Sequence, residues 1–396
     1  MKPDLFAALQ PAIDAEWMVR VLREMILIRS ENPFDEPPRE GFREQEMADY
    51  LAGRLSDLGA AVEAREVRPG RPNVFGLLKG KQGRTALMLA GHMDTARTDG
   101  YADAYTVRIE NGRLHGRGSC DMKAALAAYL GVLKALRDAG VRLEGNLIVC
   151  GIVDEEYQML GSKAIGRSGR MADQGIIGEP TRLRVCPANK GRVSTKIITR
   201  GRAAHSSVPE TGVNAIEKMA KVIQAFGDYN AELLARPGHP LCGQGRFTPG
   251  VIRGGVQVNM VPDHCELEVD RRTLPGESQE SVYAELHARI RRAAAGDPDF
   301  AYEITEPTWL IAPNDISPEE PVVAALRKGY KAIFGHDPGV EAFVAGSDAP
   351  YMGFPTVICG PGSIRQAHTT CEFVELEDVF GAARLYLYAA LELLGG

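Results

Sequence analysis

The sequence lacks the features that mark several large classes of protein. Its 396 residues include seven cysteines, an odd number with no C-x-x-C pair, which favours reduced thiols over a disulfide framework. No stretch approaches the roughly 20 apolar residues needed to cross a bilayer. Residues 1–10 have neither the basic start nor the apolar centre of a signal peptide. We therefore expect a soluble, cytoplasmic protein that does not associate with membranes.

An excess of positive charge is also absent. The chain has 46 Lys and Arg residues against 52 Asp and Glu, a net charge of −6, which argues against nucleic acid as a partner. A phosphate-binding P-loop is absent as well, because Gly76 and Gly80 enclose three residues rather than four, and Gln82 follows Lys81. The composition, 44% hydrophobic and 25% charged, is that of a globular protein. The length is sufficient for more than one domain.

The hydrophobic periodicity predicts an α/β fold whose strands and helices follow one another along both ends of the chain. The main sheet is expected to be mostly parallel and flanked by helices. Helices are predicted at 15–29, 44–58, 124–139, 320–334 and 377–394. Strands are predicted at 61–67, 73–78, 87–90, 146–153, 175–177 and 356–359, with a hairpin over 107–115.

The middle of the chain has a different pattern. Strands at 193–199, 247–253, 263–272 and 300–305 enclose helices at 214–226 and 278–294. This β-α-β-β-α-β succession is typical of a ferredoxin-like α+β domain. We therefore expect a domain inserted at 190–309 into a larger one formed by 1–189 and 310–396.

His92 and Asp94 follow the strand predicted at 87–90. In extended chain their side chains point the same way, so the carboxylate could accept a proton from one ring nitrogen and leave the other free for a metal. For a single His-x-Asp, a polar turn after a strand is the more common interpretation. Asp121, just before the helix at 124–139, is equally compatible with simple helix capping.

Acidic residues recur at other predicted strand ends. Glu155 and Glu156 close an acidic triplet that follows the strand at 146–153, and Glu179 follows the strand at 175–177. Clustered acids repel one another unless a cation is present. Because ligand sites lie at the carboxyl ends of parallel strands, the common placement indicates one site.

The candidate ligands are two imidazoles and three carboxylates, a set that suits zinc or cobalt: His92, Asp121, Glu156, Glu179 and His368. Two divalent ions carry +4, which balances three carboxylates and one hydroxide. Such a pair, about 3.5–4 Å apart, activates water. Glu155 would then take the proton from that water and pass it to a leaving nitrogen.

Five motifs resemble those of the M20 metallopeptidase/amidohydrolase family, which includes acetylornithine deacetylase, succinyl-diaminopimelate desuccinylase, aminoacylase-1 and carboxypeptidase G2. They are His92-Met-Asp94, Gly116-Arg-Gly-Ser-Cys-Asp121-Met-Lys, Asp154-Glu155-Glu156, Gly178-Glu179-Pro180-Thr181 and Gly360-Pro-Gly362 with Ala367-His368.

The resemblance implies two Zn2+ per subunit, with Co2+ or Mn2+ able to substitute. It makes Asp121 the bridging ligand, joined by His92 and Glu179 at one site and by Glu156 and His368 at the other. It also makes Glu155 the general base and Asp94 the residue that orients His92. The larger domain would hold the metals, and the inserted domain would act as a lid and dimerisation domain in a homodimer.

The same resemblance assigns roles around the substrate. His205 would reach a partner subunit's site and stabilise the oxyanion, although without the family it would read as a surface histidine. Arg272 and Asn259 match substrate-binding positions, and Arg272 could hold a carboxylate. The alternative for Arg272 is a solvated strand end, and Arg271 beside it competes for the role. Ser347 lies in a substrate loop that varies within the family.

The function expected from these residues is zinc-dependent hydrolysis of the amide bond of an N-acyl amino acid, as in a deacetylase or desuccinylase. Alternatives are a dipeptidase or carboxypeptidase of the same family, or a binding protein that keeps the fold without catalysis. One departure from the family pattern is Cys371, which stands before Glu372 where an acid or Asn is usual.

Overall fold

The computed structural model describes residues 3–36, 42, 44–83 and 85–395. The α-helices are α1 (Pro3–Leu9), α2 (Ala15–Leu27), α3 (Glu44–Asp57), α4 (Lys123–Asp138), α5 (Leu160–Arg167), α6 (Ala215–Ala225), α7 (Tyr229–Ala235), α8 (Gln279–Ala293), α9 (Pro321–Phe334) and α10 (Leu376–Leu394). Short 3-10 helices span Gln10–Ala12, Pro209–Thr211 and Ala349–Tyr351.

The predicted strands are present close to their expected positions, and the described residues contain seven further short strands that were not predicted. The strands are β1 (Ala61–Arg68), β2 (Arg71–Leu78), β3 (Ala86–His92), β4 (Arg108–Glu110), β5 (Arg113–His115), β6 (Asn146–Ile152), β7 (Gln174–Pro180), β8 (Ala188–Asn189), β9 (Gly191–Arg200), β10 (Ala204–His205), β11 (Arg246–Gly254), β12 (Met260–Val261), β13 (His264–Thr273), β14 (Ala301–Ile304), β15 (Trp309–Ile311), β16 (Asn314–Asp315), β17 (Ala342–Phe343), β18 (Thr356–Gly360) and β19 (Phe373–Glu375). The seven that were not predicted are β8, β10, β12, β15, β16, β17 and β19.

The described residues form two compact units. One comprises residues 1–188, 315–343 and 347–396, and the other comprises 189–314 with 344–346. The sequence-based boundaries were 189/190 and 309/310. Action of the smaller unit as a lid or dimerisation domain stays a prediction.

The larger unit contains a six-stranded sheet in the order β1-β2-β6-β3-β7-β18. Strands β6, β3, β7 and β18 are parallel, whereas β2 is antiparallel to both of its neighbours. The predicted α/β class with a mostly parallel sheet is therefore confirmed. Because the four parallel strands end at the same edge, the residues that follow them are brought together.

Helix α4 packs closely on this sheet. Its Ala- and Leu-rich sequence is buried over almost its whole length, as expected for a helix covered on both sides. A Cβ at Gly91 would collide with Met122, and one at Gly178 would collide with Ala125. The two glycines therefore let the start of α4 approach the strands just before His92 and Glu179.

The smaller unit has an antiparallel sheet in the order β11-β13-β9-β14, with β15 also paired to β9. Helices α6 and α8 contribute to one apolar core with this sheet. The β-α-β-β-α-β succession is present, with α7 as an additional helix after α6. Strand β11 forms an edge of the sheet, and its side chains are mostly exposed.

Within the described residues, no helix combines the length and the apolar character required to span a membrane.

Candidate metal centre

Elements at one edge of the main sheet supply the candidate ligands. His92 ends β3, Glu179 lies near the end of β7, and Glu156 lies in the turn that follows β6. Asp121 lies two residues before α4, and His368 lies in the loop after β18 with a left-handed backbone, φ +60°. The arrangement follows from parallel strands, whose carboxyl ends share an edge.

The first group consists of His92, Asp121 and Glu179. Nε2 of His92 lies 3.0 Å from Oδ1 of Asp121 and 3.9 Å from Oε1 of Glu179. All three side chains are buried. One ligand atom from each lies within 4.8 Å of the others, which is compatible with a common cation.

The second group consists of Asp121, Glu156 and His368. Nε2 of His368 lies 2.9 Å from Oε2 of Glu156 and 3.5 Å from Oδ2 of Asp121. Asp121 therefore offers one oxygen to each group. His368 differs from the other four residues because 59% of its side chain is exposed, so this group opens to solvent.

The interpretation of Asp121 as a helix cap does not fit the structure. The N-cap of α4 is Met122, which makes no side-chain capping hydrogen bond. The carboxylate of Asp121 instead contacts the two histidines, and their positive character holds its pKa below the usual range despite burial. The hydrogen bonds to Asp121 and Glu156 raise the pKa of His368 to about 11.

Two buried oxygens in the cluster have no hydrogen-bond partner among the described residues: Oε1 of Glu156 and Oε1 of Glu179. An ionised oxygen buried without a partner is costly, and such groups are normally paired or coordinate a cation. The oxygen and imidazole donors are also those that zinc and neighbouring divalent ions prefer. The residues present therefore fit a metal centre.

Asp94 contacts His92 through its main-chain oxygen, whereas the sequence predicts a contact through its carboxylate. Nδ1 of His92 lies 2.8 Å from the main-chain oxygen of Asp94, whereas the Asp94 carboxylate is 3.8 Å away. The carboxylate instead accepts hydrogen bonds from the main-chain N–H groups of Glu155 and Glu156, at 3.2 and 3.1 Å. Asp94 thus orients the imidazole of His92 through its main-chain oxygen. Through its carboxylate it holds the turn that contains Glu155 and Glu156, called the acidic turn below.

Glu372 holds the loop that carries Asp121. Its Oε1 accepts hydrogen bonds from the N–H groups of Cys120 and Asp121, at 2.9 and 3.1 Å. Its Oε2 accepts one from the buried Arg117 at 2.7 Å. Sequence reasoning placed Glu372 in a motif but gave it no role. The exposed Cys371 hydrogen-bonds to Thr369 within its own turn.

Glu155 is partly buried, and Glu179 and Asp348 are fully buried around it. Burial and then the charge of Glu179 raise the pKa of Glu155 well above its usual value. Burial raises the pKa of Asp348 to about 7, and neither of its carboxylate oxygens meets the geometry of a hydrogen bond among the described residues. No local pattern in the sequence marked Asp348, which follows Ser347, as a buried acid.

Ser347, predicted to bind substrate, is fully buried in the larger unit. Its hydroxyl accepts a hydrogen bond from the N–H of Ala349 at 3.3 Å. The side chain is not presented to solvent in this structure.

In the smaller unit, His205 and Asn259 are neighbours. Strands β10 and β12 pair His205 with Met260, and the N–H of Ser206 donates to the carbonyl of Asn259. Both His205 and Asn259 are exposed. The N–H of Ser207 donates to Nδ1 of His205, so the neutral ring carries its proton on Nε2.

The structure distinguishes the two arginines that were candidates for binding the substrate. Arg271 is buried and pairs with Glu277 and Tyr229 inside the unit. Arg272 is 40% exposed and donates from Nε to Asp270 at 2.8 Å. Of the two, Arg272 alone retains an accessible guanidinium.

The chain is similar to known proteins over most of its length. A sequence model described as peptidase family M20/M25/M40 matches residues 88–392. Acetylornithine deacetylase of Myxococcus xanthus is 30% identical over 88% of this chain and 92% of its own. The enzyme of that name from Pectobacterium carotovorum is 33% identical over 84% of this chain and 87% of its own. N-formyl-4-amino-5-aminomethyl-2-methylpyrimidine deformylase of Bacillus subtilis is 28% identical over 85% and 87%.

Solved structures show the same fold. Aminopeptidase PepT of Bacillus cereus superposes with a TM-score of 0.79 at 23% identity, covering 96% of this chain and 99% of its own. Human carnosine dipeptidase 1 superposes with a TM-score of 0.75 at 15% identity, covering 99% of both chains.

Proposed function

The chain belongs to peptidase family M20/M25/M40 and is a metal-dependent hydrolase of amide bonds, and from that premise we propose that it is a two-zinc deacylase of N-acyl amino acids. The observation that carries the proposal is the pair of ligand groups joined by Asp121, whose two carboxylate oxygens face two different histidines.

The charges of the candidate ligands support two metal ions. Asp121, Glu156 and Glu179 contribute −3 if all are ionised, which exceeds the charge of one divalent ion. Two ions suit the two groups, with His92 and Glu179 in one and Glu156 and His368 in the other. Zinc fits the mixed nitrogen and oxygen donors, and Co2+ or Mn2+ could replace it. When bound, such a pair supplies Lewis acidity and lowers the pKa of water.

Glu155 is proposed as the general base. The carboxylate accepts a proton from the attacking water as its oxygen bonds to the amide carbon. It then delivers that proton to the nitrogen as the C–N bond breaks. The immediate products are a free amine and a carboxylic acid that keeps the second proton of the water, and the acid then ionises to a carboxylate. Asp94 fixes the backbone of Glu155, which limits how far the base can move.

The smaller unit is proposed to recognise the substrate. Arg272 would hold the carboxylate of the amino acid through its exposed guanidinium, and Asn259 would bind beside it. His205 would donate its Nε2 proton to the developing oxyanion in the partner subunit of a homodimer. Ser347 would contribute to substrate binding as part of a loop of the larger unit.

The proposed homodimer is supported by exposed apolar residues at the edge strand β11 and after it. Ile252 lies in the strand, and Val256 and Val258 follow it with side chains largely open to solvent. An unpaired edge with apolar side chains is suited to pairing with a second copy.

Deacylation is favoured over peptidase activity because the relatives at 30–33% identity are named as deacetylases. A dipeptidase or carboxypeptidase remains the second candidate, since the similar folds include PepT and a carnosine dipeptidase. A non-catalytic binding protein is disfavoured because Glu155 and all five candidate ligands are present.

A hydrolysis screen tests the proposal. Purified protein is loaded with zinc or cobalt and offered N-acetyl, N-succinyl and N-carbamoyl amino acids beside dipeptides, with amine release as the readout. The proposal expects the highest kcat/KM on an N-acyl amino acid that bears a free carboxylate. Preference for dipeptides would favour the second candidate, and no hydrolysis with either metal would contradict both.

A further inference from the structure

The turn that carries Glu155 and Glu156 begins at Asp154, which is buried and has a left-handed backbone, φ +67°. Residues other than glycine adopt this conformation rarely, and they do so when surrounding groups hold it. The hydrogen bonds of Asp94 hold Glu155 and Glu156 but do not contact Asp154. Other residues must therefore fix the start of the turn.

Arg71, at the beginning of β2, contacts Asp154 directly. Its Nη2 lies 2.7 Å from Oδ1 of Asp154, and its Nε pairs with Glu44 at the start of α3. Oε1 of Glu44 accepts a hydrogen bond from the N–H of Asp154 at 3.1 Å. Arg71 and Glu44 together therefore bind both the side chain and the backbone of Asp154.

Asn32 ties this cluster to Asp94. Its Nδ2 donates to Oδ1 of Asp154 at 3.1 Å and to Oδ2 of Asp94 at 2.8 Å. Asn32, Glu44 and Asp154 are all buried, and 12% of the Arg71 side chain is exposed. The acidic turn is thus held at every residue from Asp154 to Glu156.

We propose that Arg71, acting with Glu44 and Asn32, is a positioning residue that holds the Asp154 turn so that Glu156 faces the metal and Glu155 faces the substrate. The inference rests on the proposed function. Residues 32, 44 and 71 lie outside the segment 88–392 that matches the family model, so that match assigns them nothing.

The chemistry of Arg71 and its two carboxylate partners favours a role in positioning the Asp154 turn over a role in stabilising the fold. A guanidinium presents several N–H groups in a rigid plane and can join two carboxylates at fixed angles, which an ammonium cannot do. A buried ion pair is weak evidence for stability, because desolvation offsets much of the attraction. Groups that orient a metal ligand commonly change metal affinity or activity 10–100-fold when removed.

The test compares Arg71→Met with Arg71→Lys and with the control Arg65→Met. Arg65 belongs to β1 in the same hairpin and pairs with the exposed Glu63. Zinc affinity is measured by titrating metal-free protein, and kcat and KM are measured on the best substrate with zinc in excess. We expect Arg71→Met to lose about 10–100-fold in affinity at one of two sites or in kcat, with KM nearly unchanged.

Arg71→Lys is expected to fall between wild type and Arg71→Met, and Arg65→Met is expected to match wild type. If Arg71→Met does not fold, the double variant Arg71→Met with Glu44→Gln removes one of the two buried charges left without Arg71, while Asp154 keeps its hydrogen bond from Asn32. The double variant is expected to show the same loss.

Wild-type zinc affinity and kcat in Arg71→Met, or in the double variant, would overturn the inference even if the melting temperature fell. A wild-type protein that neither binds zinc nor hydrolyses amides would overturn the proposed function, and the inference with it. The two failures are distinguishable because the second is seen without any substitution.

Discussion

Removal of metal should destabilise the larger unit. Asp121, Glu156 and Glu179 bury their carboxylates within one cluster, and two of their oxygens have no hydrogen-bond partner among the described residues. Without a cation these acids repel one another or must take up protons. Bound metal relieves that cost in the folded state, where the ligands are assembled, and has no equivalent site in the unfolded chain.

The magnitude follows from binding linkage. Free metal at 100 times its dissociation constant contributes about 2.7 kcal/mol per site, and the two sites together contribute about 5 kcal/mol. For domains of this size, each kcal/mol changes the melting temperature by about 2–4 °C. We therefore expect zinc to raise the melting temperature by about 10 °C or more above that of the chelated protein.

The difference should grow between pH 5.5 and 8. In the metal-free protein, burial raises the pKa of Glu179 well above its usual value. Burial opposes the charged form of His92, yet the hydrogen bond to Asp121 and the charge of Glu179 raise its pKa as well. In both cases the folded state binds more protons than the unfolded state, so the stability of the metal-free protein falls as pH rises. Metal binding also strengthens with pH because its ligands must be deprotonated.

Circular dichroism melts with excess chelator and with buffered free zinc measure this difference. Asp121→Asn should show a smaller increase with zinc, because both groups use that carboxylate. Asp297→Asn, which removes an acid paired with Lys218 and Lys221 in the smaller unit, should keep the full increase. Equal melting temperatures of the wild-type protein with chelator and with zinc would refute the assignment of these acids to a metal centre.

Three substitutions test individual roles. Glu155→Gln should retain metal, measured by elemental analysis, and lose about 10²–10⁴-fold in kcat; near-normal turnover would exclude it as the base. His205→Ala should lower kcat by about 10²–10³-fold without loss of metal. Mixing the His205→Ala protein with the Glu155→Gln protein should restore activity if His205 acts in the partner subunit's site. Verified mixed dimers without recovered activity would contradict that arrangement. Glu372→Gln places an amide against Arg117 and should lower the free energy of unfolding of the metal-free protein, measured in urea, by about 1.5–3 kcal/mol. An unchanged midpoint would contradict the role of Glu372 in holding the loop that carries Asp121.

Local sequence patterns were sufficient to predict most of the secondary structure. The apolar run of β3 and the Ala- and Leu-rich α4 form where their residues predict, because such segments bury their side chains in almost any α/β arrangement. Helices α1, α5 and α7 were missed. Each has only seven or eight residues, and helices of that length depend on packing more than on propensity.

The sequence by itself determined the kinds of group at the site and their places at strand ends, because the carboxyl ends of parallel strands share an edge. Only the tertiary structure decided how those groups pair. It placed one oxygen of Asp121 toward each histidine, and it gave the Asp94 carboxylate to the backbone of the acidic turn. Other contacts of the site join residues as far as 255 positions apart, as between Glu372 and Arg117, and local periodicity carries no information at that range.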